Sequence, residues 1–212
     1  MTAKIKLNAA SGGGSFSLQA PSSSANNRVI SLPDIADGTL LTSESSLDSA
    51  KLSPALSSGK FASYAVICDQ KSDTTDAGTF TSGAWRTRDL NTTLTDADNI
   101  VTISSNQFIL GAGSYLIEWS CPANRCGRHQ TRLYDVTASA NVKYGTSGFT
   151  DTGTDGDHDN STGAFRITIS GTGSNVYEIQ HQCSTSEGSL GLGASANFGG
   201  EIYTVVKIFK EN

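Results

Sequence analysis

The sequence predicts an all-β sandwich preceded by an extended arm, and three observations lead to it. From Phe61 onward, short runs of alternating apolar and polar residues recur between turn residues, the period of strands with one buried face. No segment there holds a 3.6-residue apolar period over the length of a helix. Within residues 1–60 the only aromatic residue is Phe16, and Ser, Ala, Gly and Asn dominate. That stretch carries too little apolar surface to offset the entropy of ordering a core of its own.

The arm is patterned all the same. "SFSLQAP" and "RVISLPD" are alternating segments on either side of the polar loop Ser22 to Asn27, and "DGTLLT" follows a turn signal at Asp37-Gly38. Strands this short are unstable alone, so they are expected to pair with another copy of the chain or a larger assembly. The candidate attachment residues are Phe16, Leu18, Val29, Ile30, Leu32, Leu40 and Leu41. In "SESSLDSAKLSPALSSG", Leu47, Lys51 and Leu52 suit one or two helical turns that Pro54 stops, and Ser57-Ser58-Gly59 reads as a hinge. The composition shift places a boundary between an attachment arm, 1–60, and a head, 61–212; the plain alternative for the arm is an unstructured linker.

The head offers ten candidate strands: Ser63 to Cys68, Ala84 to Asp89, Val101 to Ser104, Gln107 to Leu110, Gly113 to Ala123, Gln130 to Asp135, Asn141 to Gly145, Gly163 to Ile169, Asn175 to Cys183 and Glu201 to Phe209. So many short strands require a closed or double-sheet arrangement to limit exposed edges. "QFILGAGSYLIEWS" reads as two strands folded over Gly111-Ala112-Gly113. In "EIYTVVKIFK", Ile202, Val206 and Ile208 fall on one face and Tyr203, Val205 and Phe209 on the other. Such a strand is central in a sandwich or lies at a subunit contact.

A formal charge of −5 and the lack of clustered Lys and Arg argue against nucleic acid as a partner. No run of about 18 apolar residues is present to span a bilayer as a helix, and the N-terminal stretch lacks the apolar run of a secretory signal. Cys68, Cys121, Cys126 and Cys183 are too irregularly spaced for a zinc ribbon. They are read as small buried thiols, with a Cys121 to Cys126 disulfide as an open alternative under oxidising conditions.

No catalytic residue is nominated. The three histidines, His129, His158 and His181, sit in separate segments, and G-x-S-x-G, H-E-x-x-H, Walker and dinucleotide motifs are absent. In "HQTR", strand alternation puts His129 and Thr131 on one face and Gln130 and Arg132 on the other. His129 and Arg132 are expected to be hydrogen-bonded residues at a subunit contact.

The cluster with ligand chemistry is "DTGTDGDHDN". Asp151, Asp155, Asp157 and Asp159 supply the hard oxygen donors that Ca²⁺ prefers, although the order departs from an EF-hand loop. A solvated acidic loop is the other reading. Trp85 and Trp119 lie in apolar strand context and are expected in the core, whereas Tyr144, Phe149 and His158 are the candidate surface recognition residues for a host glycan or protein. "SEGSLGLGASANFGG" lacks the lysine and strand-to-helix context of a phosphate loop and reads as a flexible loop entering a close-packed strand.

The order of "AWRTRDLN", "NQFILGAGSYLIEWSCPA", "HQTRLYDVTASANVKYG", "GAFRITISGTGSNVYEIQHQC" and "EIYTVVKIFK" resembles the trimeric jelly roll of the complement globular head and tumour necrosis factor superfamily, in the divergent form found in tailed-phage virion proteins. "GGGSFSLQAPSSSANNRVISLPDIADGTLL" is similar to stretches of fibre and appendage proteins of marine and cyanobacterial phages. The resemblance implies a jelly-roll head, a homotrimer and no catalysis. It places the last strand near the three-fold axis, with Ile202, Val206 and Ile208 at the trimer interface. It further implies a virion protein assembled in the host cytoplasm, partnered by other capsid or tail proteins, as a decoration protein, a head fibre or a receptor-binding tail fibre tip.

Overall fold

The computed structural model describes residues 4–8, 10–19, 60–153 and 157–212. Val29, Ile30, Leu32, Leu40, Leu41 and Asp155 lie outside the described residues. The chain divides into two units, 1–47 and 48–212. In the first, β1 (Lys4–Asn8) and β2 (Ser15–Gln19) form an antiparallel hairpin whose register sets Leu7 opposite Phe16 and Ile5 opposite Leu18.

The second unit contains β3 (Phe61–Ser72), β4 (Arg86–Thr87), β5 (Thr92–Thr95), β6 (Val101–Ser104), β7 (Gln107–Asn124), β8 (Gly127–Asp135), β9 (Ala140–Thr150), β10 (His158–Cys183) and β11 (Gly200–Glu211). Every pairing is antiparallel. The pairs are also nested in sequence. The β8–β9 hairpin lies innermost, the first part of β10 pairs with the last part of β7 outside it, the last part of β10 pairs with the first part of β7 outside that, and β3 pairs with β11 outermost. A long antiparallel ribbon rolled up in this way is a jelly roll, which limits sheet edges by stacking two sheets.

The roll is made by β7 and β10, which belong to both sheets. Gln107 to Leu110 and Gly113 onward form one continuous strand, not the hairpin expected from the glycines. The buried positions explain why: Phe108 and Leu110 point inward before the glycines, and Tyr115, Ile117 and Trp119 after them. The inward parity therefore shifts by one residue, the mark of an irregularity that bends a strand. Gly113, at φ +147°, takes the bend, and the Tyr115 hydroxyl donates to Gly111 O at 3.1 Å across it. On β10 the register shifts between Ile169 and Ser174, opposite the same place, with Gly171 at φ +84°.

One sheet thus runs β5, β3, β11, the last part of β7 and the first part of β10; the other runs β6, the first part of β7, the last part of β10, β8 and β9, with β4 alongside β10. Between them lie Ile67, Phe108, Leu110, Ile117, Trp119, Leu133, Ile179, Val206 and Ile208, all buried. Each such side chain stabilises the fold by about 1.5–3 kcal/mol relative to exposure.

β11 is central, between β3 and β7, as the apolar residues on both its faces suggested. Its faces differ from the expected ones, however. A register shift between Ile202 and Val205 turns Tyr203 inward and leaves Ile202 about half exposed. Val206 and Ile208, expected at a subunit contact, are enclosed in the core of their own chain and offer no surface to a second copy.

Candidate functional site

The register brings chemistry-bearing side chains onto two outer faces and into one buried polar layer between them. On the outer face of the first sheet, Phe209 pairs with Tyr64 on one side and Leu116 on the other, and Lys207 pairs with Val66 and Glu118. Tyr64 is 56% exposed, and the Phe61 and Phe209 rings lie 5.3 Å apart. At its edge Arg166 donates through Nε and Nη2 to both Glu211 carboxylate oxygens, and Lys60 Nζ lies 3.3 Å from Glu211. These cations hold the Glu211 carboxyl below its ordinary range, the Arg166 hydrogen bond contributing most. A hollow of about 630 Å³ opens in this face, lined by Glu118, Ser120, Thr162, Ala164, Val205 and Lys207, with Trp119 and Thr146 also at its wall.

On the outer face of the second sheet, β4 pairs with β10 through Arg86 and His181, which sets Trp85 over the sheet. Trp85 is half-buried and outside the core, contrary to expectation; Trp119, 3% exposed, is the core tryptophan. The Arg132 guanidinium stands 4.3 Å from the Trp85 ring and 4.8 Å from that of Tyr134, and its Nε donates to Gln180 Oε1 at 2.7 Å. Gln180 Nε2 in turn donates to Glu178. Tyr144, opposite Arg132 on β9, has its ring 6.0 Å from Trp85. Tyr144, Phe149 and His158 are exposed.

Beneath these faces lies a buried polar layer. His129 and His181, distant in sequence, meet with Nδ1 and Nε2 3.1 Å apart, and His129 Nε2 lies 3.5 Å from Asp159 Oδ2. Burial lowers both imidazoles below their ordinary value. His129 is thus enclosed by its own chain, not at a free surface. Nearby, Trp119 Nε1 donates to Thr131 Oγ1, and Ser161 Oγ, 2.7 Å from Thr131 Oγ1, donates to Thr146 O.

Cys126 and Cys183 share a small apolar cluster with Phe80 and their thiols interact. Hydrogen bonding from Cys183 draws the Cys126 thiol down to about 7, while burial pushes Cys121 up to about 11. All four cysteines are free thiols.

Arg88 was not singled out in the sequence, where it reads as one more strand charge, yet it is 1% exposed. Its Nε donates to Thr204 Oγ1, Nη1 to Pro122 O and Nη2 to Leu192 O. Together with the bonds from Leu192 N to Gly78 O and from Ala77 N to Gly193 O, it fastens the glycine-rich segment 186–200 against residues 76–80. The loop expected to be flexible is tethered along its length.

The acidic stretch is partly occupied by internal bonds. Asp159 Oδ2 accepts from Phe149 N and Oδ1 from Asn160 N, and Asp151 Oδ1 accepts from Gly153 N. Asp157 is exposed. Among the described residues no group of three or more His, Cys, Asp and Glu converges to hold a metal ion. Two carboxylates do approach each other elsewhere, Asp69 and Asp89, and Lys71 Nζ sits between them at 3.1 and 3.0 Å. Asn91 and Asn106 donate to the same pair, an arrangement suited to anchoring strands.

No family model matches the sequence, and no curated protein matches it. Among solved structures, the chain is similar to the globular domain of zebrafish complement 1qA protein, with TM-score 0.44 and 15% identity over 71% of this chain and 99% of that one. It is also similar to murine APRIL at pH 8.0, with TM-score 0.46 and 8% identity over 70% and 98%. A third similar structure is PRD1 vertex protein P5, with TM-score 0.42 and 16% identity over 73% and 100%.

Proposed function

We propose that the chain is a non-enzymatic structural protein of a tailed-phage virion: a homotrimer anchored by residues 1–60, with the jelly-roll head displayed on the capsid or tail as a decoration protein or short fibre. The observation that carries the self-association is the outer face of the first sheet. Tyr64, Phe209, Leu116, Val205 and the exposed Ile202 leave apolar surface on an otherwise completed unit, with Lys207 and Glu118 at its centre. Apolar surface of this extent on one face marks an assembly contact, the central Lys207 and Glu118 being of opposite sign and able to pair, and cyclic copies of one chain are the commonest way to cover it. Anchoring by the arm rests on its short alternating segments, which need a partner to stay ordered. The non-enzymatic reading is supported by the enclosure of His129 and His181 and by the Lys71 ammonium set between Asp69 and Asp89.

Sedimentation of the full chain tests the assembly. A trimer is expected, with Tyr64→Glu together with Phe209→Glu giving a folded monomer. A wild-type chain that is monomeric at every concentration overturns the reading. Antibody against the head, viewed on purified virions by electron microscopy, tests the location: label over the capsid or at the tail supports it, and unlabelled particles refute it.

A further inference from the structure

We propose that the outer face of the second sheet, around Trp85, binds a saccharide. This goes beyond the assembly role and stands whether or not the chain is a virion component. A hollow of about 370 Å³ opens there, lined by Trp85, Arg128, Gln130, Ser147, Gln182 and Ser184. Its rim combines two kinds of surface that a sugar ring needs together: aromatic planes for its C–H faces and planar or hydroxyl hydrogen-bonding groups for its hydroxyls.

The aromatic part is held in place. Trp85 is set by the β4–β10 pairing, and exposed Tyr144 extends the ring surface alongside it. Arg132, fixed between Trp85 and Tyr134 and bonded through Nε to Gln180, has no hydrogen-bond partner for its Nη groups among the described residues.

The polar part is unspent. Among the described residues the side chains of Arg128, Ser147 and Gln182 make no hydrogen bond, and Gln130 uses its Nε2 on Gly145 O while Oε1 stays open as an acceptor. These groups stand on neighbouring strands β8, β9 and β10, a rigid support for a binding site.

The same features disfavour other ligands. A peptide or lipid needs a deep apolar recess for an anchor, whereas the floor here is His129 and Cys183 beneath polar side chains. A nucleic acid needs a long run of clustered Lys and Arg, whereas the chain carries −5 and the arginines of this face, Arg86, Arg128 and Arg132, stand with Asp159 and Glu178 nearby.

Trp119 is buried but lines the hollow of the first sheet, so a ligand-induced change in tryptophan fluorescence is assigned to Trp85 where Trp85→Ala abolishes it. The full chain would be applied to an array of bacterial surface polysaccharides and simple mono- and disaccharides, and each retained sugar titrated by isothermal calorimetry for the wild type and every variant, with fluorescence as a second readout where Trp85 is kept. Expected are retention of at least one sugar with a fluorescence change, a loss of about tenfold or more in affinity for Trp85→Ala, corresponding to about 1.4 kcal/mol, and a smaller loss for Gln182→Ala. Phe198→Ala, on a different exposed loop, should bind as wild type. Circular dichroism verifies folding; if Trp85→Ala fails it, Gln182→Ala and Ser147→Ala decide. No retained sugar, or rim variants that bind as wild type, overturns the proposal. Sugar binding by a chain that labels no particle would refute the virion reading and keep this one.

Discussion

The imidazoles of His129 and His181 are hydrogen-bonded to each other, Nδ1 to Nε2 at 3.1 Å, with neither ring exposed to solvent by more than 3%. One nitrogen donates and the other accepts, so the contact excludes a proton on both facing nitrogens at once. Asp159 favours a proton on His129, but burial outweighs it, and Arg88 opposes charge on both rings. Because the folded state binds these protons less readily than the unfolded chain, whose histidines titrate near 6.5, the stability is fully present above that pH. It is lost as pH falls below it. Thermal unfolding of the head should therefore show a falling Tm between pH 7 and 5.5, and His181→Gln should flatten that slope.

Gly163 lies directly over the Trp119 indole: a methyl group placed on it would stand 2.0 Å from Cζ2. Gly163→Ala is expected to destabilise the head by about 1–3 kcal/mol through overpacking, read as a lower urea midpoint with an unchanged slope. A midpoint equal to wild type would mean the indole can shift without cost.

Arg88→Met keeps the volume of the side chain but removes the donors to Leu192 O, Pro122 O and Thr204 Oγ1. Each buried acceptor left unpaired costs about 1–3 kcal/mol. Hydrogen exchange should rise selectively at the Leu192 and Gly193 amides, where the glycine-rich segment is tied down. Uniform exchange across the head would show that the loop does not depend on Arg88.

Among the thiols, Cys126 is the first to ionise and Cys183 is its neighbour, whereas burial keeps Cys121 protonated. Mild oxidation of the native chain should therefore yield a Cys126–Cys183 disulfide in peptide mass maps, and not the Cys121–Cys126 bridge that sequence proximity suggests. Thiolate character governs such reactions.

Much of the head was legible from alternation alone. Val101–Ser104 is a strand as expected, and the exposure of Tyr144 and Phe149 follows from their place on an edge strand. The glycines of "GAGSY" misled because a turn and a bend use the same residue; the parity shift between Leu110 and Tyr115 was the signal that separates them. Trp85 was misplaced because its loop is fixed by only two paired residues of β4, which leave no period to read. Contacts between distant segments, His129 with His181 and Arg88 with Leu192, depend on register, which no local pattern contains.

The outermost pair of the roll brings Lys60 next to Glu211, at 3.3 Å, and Asn212 N to Lys60 O at 3.4 Å. The head is therefore entered and left at a single point. A unit with that geometry behaves as a cassette: it can be spliced into a surface loop of an unrelated host protein through two short linkers without stretching either. A reporter fused after Asn212 would emerge beside Lys60, and a peptide meant for display at the far end belongs in the segments near Gly153 or Gly188.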